Sequence, residues 1–479
     1  MMSKRYEDEK WKEDMRLKLD VNNMFADQIG EEHGYTREEV AKWEDKTREF
    51  HKSLQEKDSV VKGFQELTDG QEEVVQEIKE YAENNRDKYD NFVVLGIGGS
   101  ALGNIALQTA LNDPYYNLKE EARDGCPRLF VPDNVDPTRL KSLLEELDLE
   151  KTIFNVISKS GTTAETMSEF LTARSAVAKA VGEENIGEHF IATTSSDSGK
   201  LIKIAEKEGF KTFFIPDNVG GRFSVLTPVG LVSAAFTGVD IEELLAGANY
   251  MKEICSTDNL WENPAYLNAI LQYLADQDGK PMSVMMPYSH VLKDFSDWYR
   301  QLWAESLGKK LDQEGKTVHV GPTPIKAVGA TDQHSQVQLY MEGPHDKVIT
   351  FLEVENFKEE LEIAPGYENI SGVSYLGGHT FNELITVEKK ATELALTKNN
   401  RLNCTLKFPE VNEFTVGQFI YLFELQTAFS GELYNINAFN QPGVELGKKY
   451  AYGVLGREGF SEMKEEFEGR AEKEEDLII

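Results

Sequence analysis

TIFNVISKSGTTAETMSEF (residues 152–170) predicts a strand, a polar loop and the start of a helix in succession. The first six residues are apolar or β-branched except for Asn155, as is typical of a strand buried on both faces of a parallel sheet. The loop that follows places five hydroxyl side chains within nine positions, and the helical pattern then continues to Val181. Loops of this kind lie at the carboxyl ends of strands, where open α/β sheets bind their ligands.

The same order of strand and helix recurs along most of the chain. In the first half, strands are predicted at 91–97, 128–134, 152–157, 189–195 and 211–218. In the second half, strands are predicted at 281–289, 318–325, 346–355 and 402–408. Helical stretches separate most of these strands, and this alternation predicts an α/β fold. We expect two tandem three-layer αβα sandwiches with mainly parallel sheets, a helical N-terminal extension and a helical C-terminal tail.

This alternation of strands and helices divides the 479 residues into five expected parts. They are a charged helical N-terminal segment (1–70), a first α/β domain (71–245), a helical connector (246–280), a second α/β domain (281–430) and a C-terminal segment (431–479).

Composition limits the class of partner. Hydrophobic residues make up 40% of the chain and charged residues 28%, which predicts a globular protein. The formal net charge of −32 disfavours a general nucleic-acid binder and docking on an anionic membrane. An anionic small substrate would need a locally positive site within this acidic protein.

Three features favour a cytoplasmic location. The first 15 residues are charged throughout, without the apolar region of a signal peptide. The longest nearly apolar stretch, 228–239, is too short to span a bilayer. Cys126, Cys255 and Cys404 are far apart and odd in number, which favours reduced thiols over a disulfide framework or a zinc site.

The hydroxyl-rich loop predicts a phosphate site. Helix N-termini offer free N–H groups and the positive end of the helix dipole, and short hydroxyls can donate to an anion there. Ser158, Lys159, Ser160 and Thr163, with Gly161 for flexibility, make such a cradle. The alternative is an ordinary helix N-cap with additional Ser and Thr, although a cap needs only one hydroxyl.

The glycine-rich stretch GIGGSALG (96–103) is not a dinucleotide fingerprint, because Ala101 stands where the third glycine belongs. No P-loop motif occurs either. We interpret the stretch as a turn that brings backbone N–H groups at Gly99, with Ser100, close to a sugar or a phosphate.

Gln301 and Glu305 are four residues apart and therefore share one face of a predicted helix. Taken alone, Glu305 is better interpreted as a solvated charge at the rim of the helix. His334 follows a strand at the start of a helix, where a structural cap partner is the alternative. The eight histidines form no HxH or HExxH pattern, so no metal centre is predicted.

Together these segments resemble the glucose-6-phosphate isomerase (phosphoglucose isomerase) family, over residues 90 to 450. NVGGRFSVLTPVGL (218–231) and FNQPGVELGK (439–448) are similar to the two characteristic patterns of that family. GIGGSALG, SKSGTT, QLWAES and GATDQH occur in the family's order. Six modest motifs in one order are highly specific. The resemblance implies two sugar-isomerase (SIS) domains, in agreement with the tandem α/β architecture.

The resemblance assigns roles position by position. The residues matched to substrate or phosphate binding are Gly99, Ser100, Ser158, Lys159, Ser160, Thr163, Gly221, Gln301 and Gln441, and those matched to catalysis are Arg222, Glu305, His334 and Lys448. Glu305 is the implied base, His334 the ring-opening histidine, and Lys448 its proton partner at the ring oxygen. Gly161 and Pro442 depart from the eukaryotic pattern, which has Phe and Trp there, and this puts the shape of the loops in doubt.

The implied reaction is the reversible isomerisation of glucose 6-phosphate and fructose 6-phosphate through a cis-enediolate, a step of glycolysis and gluconeogenesis. The resemblance implies no redox or metal cofactor, hexose phosphates as the only small-molecule partners, and a cytoplasmic homodimer in which His334 reaches the neighbouring site. Two alternatives stay open: a related SIS-type hexose-phosphate isomerase with activity on mannose 6-phosphate, and a non-catalytic sugar-phosphate sensor. The order of the motifs that hold Glu305, His334 and Lys448 argues against an amino-sugar enzyme.

Overall fold

The computed structural model describes residues 4–54 and 62–479. Within these residues the strands are β1 (Lys18–Asp20), β2 (Asn91–Leu95), β3 (Arg128–Phe130), β4 (Thr152–Ile157), β5 (Phe190–Thr194), β6 (Lys211–Phe214), β7 (Met282–Pro287), β8 (Lys309–Leu311), β9 (Thr317–Val320), β10 (Thr323–Lys326), β11 (Lys347–Val354) and β12 (Asn403–Phe408).

The helices up to the middle of the chain are α1 (Glu9–Asp14), α2 (Ala26–Ile29), α3 (Arg37–Ala41), α4 (Glu44–Leu54), α5 (Lys62–Gln65), α6 (Glu72–Asn85), α7 (Leu102–Leu111), α8 (Glu120–Arg123), α9 (Pro137–Glu146), α10 (Ala164–Val181), α11 (Leu201–Glu208) and α12 (Pro228–Phe236). The later helices are α13 (Ile241–Ile254), α14 (Pro264–Gln277), α15 (Lys293–Leu307), α16 (Val337–Glu342), α17 (Ser371–Ser374), α18 (Phe381–Lys398), α19 (Glu413–Leu433), α20 (Glu445–Val454) and α21 (Ser461–Glu468).

The first sheet has the strand order β3–β2–β4–β5–β6, with every neighbouring pair parallel. All five predicted strands are confirmed. The two that were predicted to end in PDN are shorter, because Pro132 and Pro216 lie beyond the last paired residues and proline cannot donate to a ladder. The chain leaves β2 for β3 on one side and returns to β4 on the other, so the topological switch point lies between β2 and β4.

The second sheet has the order β1–β12–β11–β7–β10. Its strands are parallel except β1, which runs antiparallel to β12. Only helices were predicted for residues 1–70, so β1 is a difference from expectation: its three residues are too short to show an alternating pattern. The single strand predicted at 318–325 is also wrong, because Gly321 has φ +139° and precedes Pro322. The chain breaks there into β9, which pairs with β8 in a hairpin, and β10 at the sheet edge.

A layer of buried helices lies between the sheets and forms the main hydrophobic core with them. Its centre is α19, a helix of 21 residues that is buried along almost its whole length and packs on α13, α14 and α15. Glycines let α19 approach α13 closely. A Cβ at Gly417 would lie 1.9 Å from the carbonyl oxygen of Leu244, and one at Gly247 would lie 1.9 Å from that of Phe414. No helix in the described part of the chain is long and apolar enough to cross a membrane.

Candidate active site

The site begins at the carboxyl ends of β2 and β4, on either side of the switch point. A 3-10 turn at Gly98–Ser100 follows β2, and the hydroxyl loop, residues 158–163, follows β4. Because parallel strands end at one edge of the sheet, both loops open toward the same crevice. The structure thus brings together two motifs that are separate in sequence.

The glycine turn after β2 packs directly on the turn that carries Arg222. A Cβ at Gly99 would lie 2.2 Å from the carbonyl oxygen of Gly221, so only glycine fits there. Gly98 has φ +57°, and a Cβ on it would lie 3.0 Å from the Nε2 atom of Gln301. The absence of side chains at Gly98 and Gly99 therefore lets three segments of the site meet.

Hydrogen bonds within the hydroxyl loop set its shape. The Ser158 hydroxyl accepts from the backbone N–H of Gly161 at 3.0 Å and lies 3.2 Å from the Thr163 hydroxyl. Ser160 accepts from the backbone N–H of Thr162 at 3.2 Å. Thr163 is the N-cap residue of α10, yet its side chain makes no capping hydrogen bond. The ordinary N-cap alternative therefore does not describe this loop, whose hydroxyls surround the open N-terminus of a helix of 18 residues.

Gly161, one of the two departures from the eukaryotic pattern, is explained by its backbone. It has φ +61°, a conformation that favours glycine. A Cβ there would also lie 2.1 Å from the backbone nitrogen of Leu201 at the start of α11. A bulky residue at this position requires a different path for the loop.

Lys159 directs its ammonium away from the hydroxyls of the loop. Its Nζ atom donates to the carbonyl oxygens of Asp217 at 2.7 Å, Val219 at 3.1 Å and Pro216 at 3.3 Å. Burial lowers the pKa of Lys159, and the Asp217 carboxylate opposes that shift. The side chain thus ties the hydroxyl loop to residues 216–219, which lead into the Arg222 turn.

Arg222 is the buried cation of the site, with 3% of its surface exposed. Its Nε–H donates to the Ser306 hydroxyl at 2.7 Å, and its terminal nitrogens donate to the Gln441 side chain at 3.1 Å and to the Asn440 carbonyl at 3.1 Å. Burial lowers its pKa, while the Glu305 carboxylate opposes the shift. These contacts fix the plane of the guanidinium beside Glu305.

Glu305 lies in the last turn of α15, opposite Arg222. Its Oε1 atom lies 3.7 Å from the Arg222 guanidinium, and its Oε2 atom accepts from the Gln301 Nε2 atom at 3.1 Å. The expected sharing of a helix face by Gln301 and Glu305 is confirmed. The side chain of Glu305 is 24% exposed, so the carboxylate is both oriented by partners and open to a ligand.

Comparison with known proteins identifies the family. The model of the phosphoglucose isomerase family matches residues 10–473. The glucose-6-phosphate isomerase of Carboxydothermus hydrogenoformans is 52% identical over 454 residues, covering 94% of this chain and 97% of that protein. The glucose-6-phosphate isomerase of Rubrobacter xylanophilus is 45% identical over 383 residues, covering 80% of this chain and 86% of that protein. This chain belongs to the phosphoglucose isomerase family.

Solved structures agree with this assignment. A hypothetical protein of Thermus thermophilus superposes with a TM-score of 0.82 at 36% identity, covering 92% of this chain and all of that one. A glucose-6-phosphate isomerase of Chlamydia trachomatis superposes with a TM-score of 0.74 at 24% identity, covering 91% and 93% of the two chains. The α/β fold predicted from the sequence is thereby confirmed as that of a phosphoglucose isomerase.

Two further family positions are exposed on the single chain. His334 is exposed in the 3-10 turn Thr331–His334. Lys448 is exposed in α20, where its Nζ atom lies 3.0 Å from a Glu445 carboxylate oxygen. Across residues 4–54 and 62–479, neither side chain forms a hydrogen bond or ion pair with Arg222 or Glu305. The roles assigned to these two phosphoglucose isomerase positions stay predictions for this chain.

The structure also adds residues that were not expected in the isomerase site. Ser306 accepts from Arg222, and the Nζ atom of Lys309 donates to the carbonyl oxygens of Glu305 and Ser306, each at 2.7 Å. The sequence held a signal for Lys309, since it follows the helix-ending Gly308 and cations favour helix C-termini. Ser306 is the last residue of the QLWAES motif, but its partner is 84 residues away, so the sequence assigned it no role.

Proposed function

We propose that this chain interconverts glucose 6-phosphate and fructose 6-phosphate by moving a proton between C1 and C2 through an enediolate, without a metal or redox cofactor. The observation that carries the proposal is the Arg222–Glu305 pair, whose charged groups are 3.7 Å apart. The Gly98–Ser100 turn packs against the two segments that hold this pair. The curated relatives named glucose-6-phosphate isomerase support the choice of substrates.

The hydroxyl loop is the proposed phosphate anchor. Ser158, Ser160 and Thr163 supply hydroxyl donors at the N-terminus of α10, and the helix dipole favours an anion there. Lys159 contributes by holding the loop, because its ammonium is occupied by backbone carbonyls. If the loop binds the phosphate, the energy of that binding can be used to position the reacting carbons of the substrate.

Glu305 is the proposed base for the C1–C2 proton transfer. The hydrogen bond from Gln301 holds one carboxylate oxygen, and the second faces Arg222. A carboxylate in this position can take a proton from one carbon and return it to the next on the same face. Arg222 keeps its charge and lies where negative oxygen of an enediolate would need a partner.

Two other carboxylates near matched segments, Asp217 and Asp332, are alternative candidates for the base, and both are held by other groups. Asp217 accepts from the Ser195 hydroxyl at 3.0 Å, in the loop held by Lys159. Asp332 accepts from the backbone N–H of Val328 at 2.7 Å and from the Ser335 hydroxyl. Both therefore serve to fix loops, which supports Glu305 as the base.

Ring opening requires a second group, and we propose that it is supplied across a homodimer. On the single chain His334 and Lys448 are exposed. The same chain leaves large apolar side chains exposed, with Tyr367 at 75% and Leu455 at 76%. A partner that covers these surfaces and lends its His334 would complete the site. A cytoplasmic location agrees with three free, buried cysteines.

A coupled assay tests the proposal. The purified chain is treated with EDTA, gel-filtered and supplied with fructose 6-phosphate, and glucose 6-phosphate is detected with an NADP-linked dehydrogenase. We expect full turnover without added metal. Activity that is lost on this treatment and restored by a divalent cation would contradict metal-free chemistry, and no product under either condition would contradict the isomerase.

A further inference from the structure

We infer that Lys309 is a positioning residue for the reaction, because its buried ammonium holds the last turn of α15, which carries the base. This inference rests on the proposed function. The Nζ atom donates to the carbonyl oxygens of Glu305 and Ser306, each at 2.7 Å. The last four carbonyls of a helix have no intrahelical partner, so one side chain satisfies two of them at once.

The two carbonyls held by Lys309 belong to residues that work together. Glu305 is the proposed base, and Ser306 accepts the Nε–H of Arg222 at 2.7 Å. A change in the last turn of α15 therefore moves the carboxylate and the contact that fixes the guanidinium. Misplacement of reacting groups by about 1 Å can cost about 100-fold in rate.

The backbone of Lys309 is anchored from the opposite direction. Lys309 pairs with Val320 in the hairpin of β8 and β9. Gly321, the next residue, approaches so closely that a Cβ on it would lie 2.7 Å from the Cα atom of Gly308. The hairpin thus fixes the backbone of Lys309, and the Lys309 ammonium contacts the C-terminal turn of α15, the helix that precedes it in the chain. This closed arrangement gives the last turn of α15 little freedom.

A simple helix cap would not need this burial. Only 7% of Lys309 is exposed, although helix C-termini are readily satisfied by water or by exposed cations. Burial, then the nearby Arg222 guanidinium, lowers the pKa of Lys309 to about 8, and the Glu305 carboxylate opposes the shift. A lysine buried beside an arginine is unfavourable for stability. Groups with perturbed pKa values cluster at functional sites, and the contacts of Lys309 place it at the end of the helix that carries Glu305.

The test compares Lys309→Met and Lys309→Arg with the matched control Lys310→Met, since Lys310 is the adjacent, exposed lysine. For each protein we would measure kcat and KM with fructose 6-phosphate. We would also measure the Kd of glucitol 6-phosphate, a sugar phosphate that lacks the reacting carbonyl group. Turnover by the wild type is established first, so that failure of the proposed function is recognised before any variant is compared.

We expect Lys309→Met to lower kcat by ~10- to 100-fold while KM and Kd stay within about twofold of the wild type. Lys309→Arg should recover part of the lost kcat because it keeps a cation, and Lys310→Met should match the wild type. A normal kcat in Lys309→Met would overturn the inference, and so would a parallel loss of kcat and of ligand binding. If Lys309→Met does not fold, Lys309→Gln is measured in its place, and failure of both to fold would assign Lys309 to stability alone.

Discussion

Two lysines hold backbone segments next to Arg222 and Glu305. Lys159 donates to the carbonyls of residues 216–219, ahead of the Arg222 turn, and Lys309 donates to the carbonyls at the end of α15. Neither ammonium faces the hydroxyl loop. Arg222 is therefore the cation placed beside the Glu305 carboxylate. The phosphate site that we propose consists of hydroxyls at a helix N-terminus. The sequence predicted Lys159 and Arg222 as site residues but not Lys309, and it could not predict which groups each cation would contact.

The hydroxyl loop gives the first prediction at this scale. Thr163→Ala should weaken the binding of glucitol 6-phosphate by about 1–3 kcal/mol, because a charged partner loses a hydroxyl donor. Titration calorimetry measures the effect. The matched control is Thr172→Ala on the same helix, whose hydroxyl donates to the Ser168 carbonyl at 2.8 Å. Unchanged affinity in Thr163→Ala, and also in Ser158→Ala and Ser160→Ala, would show that this loop does not bind the phosphate.

The second prediction at the residue scale concerns Lys309 and the pH dependence of the free energy of unfolding. Its pKa is lowered to about 8 in the folded chain, against about 10.4 in an unfolded chain. Between these values the unfolded state binds more protons, so the free energy of unfolding rises with pH. Methionine does not titrate. The wild type should therefore gain stability relative to Lys309→Met between pH 8 and 10, as measured by urea unfolding at equal protein concentration. A difference that is constant with pH would show that Lys309 titrates normally.

Among the secondary-structure elements, the predictable ones are those with strong local patterns. The buried strands of the first sheet and the Gln301–Glu305 face of α15 were confirmed. β1 was missed because three residues hold no periodicity, and its place depends on β12, almost 400 residues later. α19 was also missed: almost all of its residues are buried, polar ones included, so it lacks the separate apolar and polar faces of a surface helix.

The contact of α13 and α19 gives a prediction at the element scale. Gly417→Ala should destabilise the protein by about 1–3 kcal/mol or more, because the added methyl group meets the backbone of Leu244 and cannot be relieved by a side-chain rotation. Gly372→Ala is the control, since a Cβ there meets no atom within 4 Å. The midpoint of urea unfolding compares the two variants. Equal midpoints would mean that the two helices can separate without cost.

On the scale of the whole molecule, one chain brings Glu305 and Arg222 together but leaves His334 and Lys448 exposed. The sequence assigned His334 and Lys448 only through a family resemblance. In the proposed homodimer, the place of His334 relative to Glu305 depends on how copies of the chain assemble, and no pattern within one chain encodes that assembly. The net charge of −32 also keeps copies apart except where apolar surface, such as that at Tyr367 and Leu455, can be covered.

Complementation between inactive chains tests this assembly. His334→Ala and Glu305→Gln should each lack activity as homodimers. After subunit exchange, a mixed dimer should regain activity, because one of its two sites combines an intact Glu305 with an intact His334. The coupled assay and native mass spectrometry measure activity and exchange together. Complete exchange with no regained activity would place both residues in the site of the same chain.

Hydrogen exchange at the reacting carbons of the substrate, C1 and C2, is the most direct test of the central claim that Glu305 transfers the proton. Fructose 6-phosphate is incubated in deuterated water with the wild type or with Glu305→Gln, and deuterium in the hexose phosphate is followed by NMR. The wild type should incorporate deuterium during turnover. Glu305→Gln should bind glucitol 6-phosphate normally but lose at least ~10²-fold in both exchange and kcat, the usual contribution of a positioned general base. Near-normal exchange and turnover in Glu305→Gln would contradict the account and return the search to Asp217 and Asp332.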